Sequence, residues 1–130
     1  MTKFKRKRYR KSLWLLIGAM SLAISGCGQK ASAAKVAFIT DGGSVEETGV
    51  NQAVWQGIVQ YTEETQEIAE VYAPTEKSQA AYEKAMADAV ANGADVVICA
   101  GEEFDQAVYD MQRMERETRF ILLDGVPQEE

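Results

Sequence analysis

The sequence contains no histidine, which removes histidine acid–base catalysis and the commonest metal ligand. No acid precedes Asp41. Past Cys27 the shortage reverses: half of the 14 basic residues lie in the first eleven positions, leaving 7 against 20 acids, a balance of −13. A body so poor in cations has no basic stripe to neutralise phosphates, so nucleic acid is not an expected partner. The GxGxxG, Walker and GxSxG motifs are missing, as is EF-hand spacing. "TDGGS" (40–44) is a poor phosphate loop, because Asp41 would repel the anion. The third apolar run ends in Ala100-Gly101, without the phospho-acceptor aspartate of a receiver domain. No apolar run reaches the roughly 20 residues a membrane-spanning helix needs.

What is there divides at Cys27. Seven basic residues, Lys3 to Lys11, precede "SLWLLIGAMSLAIS" (12–25), an apolar stretch of secretory length. It closes on Ile24-Ser25-Gly26-Cys27, which resembles the lipobox of bacterial lipoproteins. Residues 1–27 are therefore expected to be a lipoprotein signal peptide, with Cys27 as the attachment point for diacylglycerol. Two acyl chains, at about 0.8 kcal/mol per buried methylene, anchor stably where one is marginal. The other reading is a short uncleaved anchor in which Cys27 is incidental. "GQKASAA" (28–34) has the small polar composition of a tether. Cys99, within an apolar run, is expected to be a buried small hydrophobe.

From residue 35 apolar runs alternate with helical periods, within a length that allows one domain. "KVAFIT" (35–40), "EIAEVYA" (67–73), "DVVICAG" (95–101) and "RFILLDG" (119–125) read as strands, the second more exposed than the others. A first helix is expected to bury Val50, Ala53, Val54, Gly57, Ile58 and Tyr61. A second, introduced by Pro74 and Ser78, carries Tyr82, Ala85, Met86, Ala89 and Val90, and Gly93 suits its left-handed cap. Phe104, Ala107, Val108 and Met111 mark a third. The expected fold class is α/β, a parallel sheet of order 2-1-3-4 with right-handed crossovers. One helix would then lie over one face and two over the other, leaving apolar sheet surface open. A chain that stops just past the fourth strand is expected to continue beyond Glu130.

Ligands of open parallel sheets bind beyond the carboxyl ends of the strands, where connections change face. Strands one and three flank that point here, followed by "TDGGSVEETGVN" and "CAGEEFDQA". Asp41 offers two acceptor oxygens to hydroxyls or an amine, and Asn51 can both donate and accept. Each has a structural alternative: Asp41 capping its own loop, Asn51 bonding its own backbone at a helix start. Ser44 with Glu47 fits a capping box. Glu46, Glu47, Glu102, Glu103 and Asp105 suggest metal or acid–base chemistry, but acids near helix starts are favoured by the dipole alone. Neither a metal nor catalysis is expected.

Two segments, "KVAFITDGGSVEETGVNQAVWQGI" and "GADVVICAGEEFDQAVYDMQ…RFILLDGVP", resemble the basic membrane protein family of substrate-binding lipoproteins serving ABC importers. Thr40-Asp41, Asn51-Gln52 and Trp55-Gln56-Gly57 follow its pattern. The resemblance implies an incomplete N-terminal lobe (35–130) of a type I periplasmic-binding-protein fold, closing by hinge motion on a small solute, typically a purine nucleoside. It also implies an ABC permease as partner, a membrane held through the Cys27 lipid, and an extracytoplasmic location. Asp41 and Asn51 inherit ligand contacts, and the strand-three loop adds Gly101, Glu102 and Gln106. Relatives have Phe where this chain has Val50 and Glu102, and aspartate where it has Gln106. Other readings are a lipoprotein sensor signalling to a receptor, an extracytoplasmic hydrolase using the acidic cluster, and a truncated product without a working site.

Overall fold

A computed structural model describes residues 32–128. The signal segment, Cys27 and most of the tether lie outside the described residues.

Strands β1 (Lys35–Ile39), β2 (Ile68–Tyr72), β3 (Val96–Ala100) and β4 (Arg119–Leu123) form one parallel sheet in the order β2-β1-β3-β4. Helices α1 (Val50–Thr65), α2 (Gln79–Ala91) and α3 (Asp105–Met114) supply the crossovers, and a 3-10 turn, Glu102–Phe104, precedes α3. The order is the expected one. Parallel neighbours need long crossovers, which the helices supply, and the Val-, Ile- and Phe-rich strands bury most of their apolar surface beneath them.

Strand alternation divides the core. Ala37, Ile39, Val97 and Cys99 pack with Tyr82, Met86 and Ala89 of α2 and with Ala107, Val108 and Met111 of α3. Phe104, fully buried, anchors the 3-10 turn, with its ring centroid 4.5 Å from that of Tyr82. Fully burying a side chain of that class stabilises by about 1.5–3 kcal/mol. On the opposite face Val36 and Phe38 pack with Ile58, joined by Val45, Val54 and Trp55. Cys99 is fully buried, and burial pushes its thiol far above the ordinary range.

Two helix starts differ. Ser78 caps α2, its hydroxyl accepting the Ala81 N–H at 3.3 Å, and Gly93 follows the helix with φ 86°. Gly49 is the N-cap of α1 and makes no side-chain cap. The capping box of Ser44 and Glu47 does not form, because the helix begins six residues after Ser44 and its hydroxyl instead accepts the Glu46 N–H at 3.0 Å.

The buried stripe of α1 is also displaced from the expected one. Ile58 and Thr62 are buried, whereas Val50, Ala53, Gly57 and Tyr61 are exposed. The cause lies beneath the helix: among the described residues α1 is the one helix on its face, and it leaves Val96, Ile98, Ile121 and Leu123 beside an open groove of about 760 Å³. Uncovered apolar surface on this face is what the order of connections requires.

Candidate ligand-binding site

Three short local turns shape the loop after β1. The Thr40 hydroxyl accepts the Gly42 N–H at 3.2 Å, Asp41 Oδ1 the Gly43 N–H at 3.0 Å, and Ser44 the Glu46 N–H. Asx- and Ser/Thr-turns of this kind satisfy backbone donors without regular structure. Val45 pins the middle of the loop against the core under α1.

Asp41 is the hub. Its Oδ1 also accepts Asn51 Nδ2 at 2.7 Å, and its Oδ2 accepts Lys77 Nζ at 2.8 Å. The amide of Asn51 thus serves the carboxylate and not the start of its own helix. Gly43 makes this approach possible: a β-carbon there would stand 2.8 Å from Asn51 Nδ2 and 3.0 Å from Asp41 Oδ1. The Lys77 hydrogen bond, followed by that of Asn51, holds the Asp41 carboxyl at about 2, below its usual 3.8. The same contact raises Lys77 above its ordinary value.

Beyond the strand ends these residues border a hollow of about 450 Å³ lined by Asp41, Asn51, Gly101, Glu103 and Asp124 among others. Gly101 adopts φ 121°, a conformation that favours glycine, and a β-carbon there would run into the Glu103 carboxylate. Its N–H donates to Leu123 O at 2.9 Å, drawing the ends of β3 and β4 together. Asp124 follows with φ 55°, tolerable for aspartate in the left-handed region.

Glu102 and Gln106 are placed elsewhere. Both line an adjoining hollow of about 420 Å³ with Lys77 and Tyr82, and the exposed Glu103 borders the two hollows. Gln106 Nε2 donates to Asp110 Oδ2 at 2.7 Å on its own helix. Asp105 has a structural duty, its Oδ1 accepting the Val126 N–H at 2.9 Å and its Oδ2 Gln128 Nε2 at 3.2 Å. Sequence reasoning missed Lys77 and Asp124 and weighed Glu103 only within the acidic cluster. For Asp124 a signal existed, an acid ending an apolar strand as Asp41 does. For Lys77 there was none. Among the described residues, no three His, Cys, Asp or Glu side chains converge to hold a metal ion.

Carboxylate, carboxamide, glycine-rich turn and hollow therefore meet at the switch point between β1 and β3. A family model described as ABC transporter substrate-binding protein PnrA-like matches residues 33–130. The chain belongs to this Bmp family. No curated protein and no solved structure matches the chain. As a Bmp member it is a substrate-binding protein of an ABC transporter, a class defined by capture of a solute and not by catalysis. Such proteins work outside the cytoplasm with a permease as partner. Among the described residues no helix is long and apolar enough to cross a membrane.

Proposed function

We propose that this protein captures a small, uncharged, hydroxyl-bearing solute of nucleoside type for import, tethered to the outer face of the cell membrane through a lipid on Cys27. The observation that supports this most directly is the 2.7 Å bond between Asn51 and Asp41 beside the hollow. It fixes Oδ1, while Oδ2, paired with the exposed Lys77, keeps a lone pair to which a ribose hydroxyl can donate. Asp41 and Asn51 are the core of the proposed contact, with the Gly101 backbone opposite. Glu102 and Gln106 join only for a solute that reaches into the adjoining hollow. Val50 and Glu102 supply no aromatic platform for a base, so recognition rests on the sugar. A second lobe closing over the strand ends would supply the remaining contacts by hinge motion.

The test is a thermal-shift panel of nucleosides, free sugars and short peptides against the full chain. Stabilisation by nucleosides that disappears in Asp41→Ala is the expected result. Stabilisation by sugars or peptides alone removes the nucleoside assignment. Acyl labelling lost in Cys27→Ser tests the anchor.

A further inference from the structure

The two hollows beyond the strand ends share Glu103 as a common border. Asp41 lines one and Lys77 the other, so the 2.8 Å ion pair between them bridges the two spaces. The stem of Lys77 passes over Gly42, its Cε 3.9 Å from where a β-carbon would stand.

The two oxygens of Asp41 are used unequally. Oδ1 is filled from within the loop by the Asn51 amide and the Gly43 N–H. Oδ2 takes Lys77 Nζ, whose side chain is 67% exposed. Oδ2 therefore already carries a cationic amine, held by an ion pair of the exposed kind that a competing group can displace. Among the described residues Lys77 is the one base lining either hollow, against Asp41, Glu47, Glu102, Glu103, Asp105 and Asp124.

We propose that Lys77 determines the charge selectivity of the site: its ammonium guards Asp41 Oδ2 against amine-bearing solutes and restricts binding to uncharged ones. The inference rests on the reading of this hollow as the ligand site. An ammonium group only donates, so on a ligand it competes with Lys77 for one oxygen and is repelled by it. A hydroxyl both donates and accepts, so it can give its proton to Asp41 Oδ2 while accepting from Lys77 Nζ. The surrounding carboxylates repel anions. Cations and anions are thus turned away by different residues, and a polyhydroxylic neutral solute meets a donor and an acceptor side by side. Without Lys77 the same space is an acidic basin suited to polyamines.

The experiment follows backbone and Asn51 side-chain amide signals of the full chain during titration with spermidine and, separately, with inosine. In Lys77→Met, spermidine is expected to bind about tenfold tighter than to the wild type, a ratio measured directly by the shift of the midpoint. That gain is expected to vanish when Asp41→Asn is added and to fall with added salt. Lys77→Arg keeps the cation and should keep wild-type selectivity, a rescue that a merely structural role would not give. Thermal melts establish that each variant is folded. A spermidine affinity in Lys77→Met within about threefold of wild type overturns the proposal, and so does a gain that survives Asp41→Asn. Failure of the underlying reading shows separately, as inosine leaving the Gly43 and Asn51 signals of the wild type unmoved. That outcome removes the nucleoside and leaves the spermidine arm to decide Lys77.

Discussion

Asn51 in the first turn of α1 reaches back 2.7 Å to Asp41 at the end of β1, tying a helix to the strand before it through one oxygen. Because α1 has no side-chain cap of its own, this bond, with that of Gln52 Nε2 to Glu46 O at 3.3 Å, also holds the helix start against the loop. Asn51→Ala is therefore expected to act twice. It should lower stability by about 1.5–3 kcal/mol, the range for a hydrogen bond to a charged group, and weaken solute binding. Denaturant unfolding and a binding isotherm on the same variant measure the two losses. Unchanged stability would show the bond to be idle.

Gly43 is the tightest position of the loop. Gly43→Ala puts a methyl group within 3.0 Å of both partners of that bond, so the pair must part. A cost of about 1–3 kcal/mol is expected, as for other overpacked sites. The chemical shift of the Asn51 side-chain amide should move with it.

The pH dependence follows from Asp41. Its folded-state carboxyl sits at about 2 against an ordinary 3.8, held down first by Lys77 and then by Asn51. A depressed carboxyl contributes stability that is fully present above its unfolded value and lost as pH falls through its folded one. The stability difference between wild type and Asp41→Asn should thus be constant above about pH 5, where the unfolded carboxyl is also ionised, and shrink as pH falls toward 2. Urea titrations at stepped pH check this. A difference that widens on acidification contradicts it.

Cys99 gives a readout of global unfolding. Its thiol is wholly enclosed and pushed up by that burial, and the thiolate is the reactive form. In a Cys27→Ser chain, alkylation at pH 8 should be negligible in the native state and rise in step with denaturant unfolding. Fast labelling of the native chain would mean that the sheet opens locally.

Phe104 links stability to the site. It is fully buried beneath the turn that carries Glu102 and Glu103. Phe104→Ala should cost about 3–5 kcal/mol. A conservative Phe104→Leu, costing less, should loosen the strand-three loop and weaken binding through Gly101 with the fold intact.

Much of this was legible in the residues. Val36–Ile39, Val96–Ala100 and Phe120–Leu123 are nearly continuous apolar runs, the form expected of parallel strands, although Ile121 and Leu123 of the last remain exposed. The crossovers, sheet order and open face follow from them. The buried stripe of α1 did not read correctly, because periodicity reports which residues are apolar and not which of them find a neighbour. Val50 and Tyr61 keep the pattern over a sheet that α1 does not fully cover. The site was legible only where sequence-local chemistry builds it, at Asp41, Gly43 and Asn51. Lys77 comes from the loop after β2 and Asp124 from the end of β4, and only parallel pairing through β1 and β3 brings them near Asp41. Glu102 and Gln106 sit one and five residues past Gly101, but the 3-10 turn that buries Phe104 carries them around to the neighbouring space.

The bare strip between α1 and β4 decides how the isolated chain behaves in a test tube. Hydrocarbon left wet on that scale favours self-association and adsorption to air–water and plastic surfaces as concentration rises. A net charge of −6 opposes coalescence at neutral pH and fades near the isoelectric point of about 4.8. Turbidity on mild acidification is therefore expected as a colloidal effect that precedes unfolding.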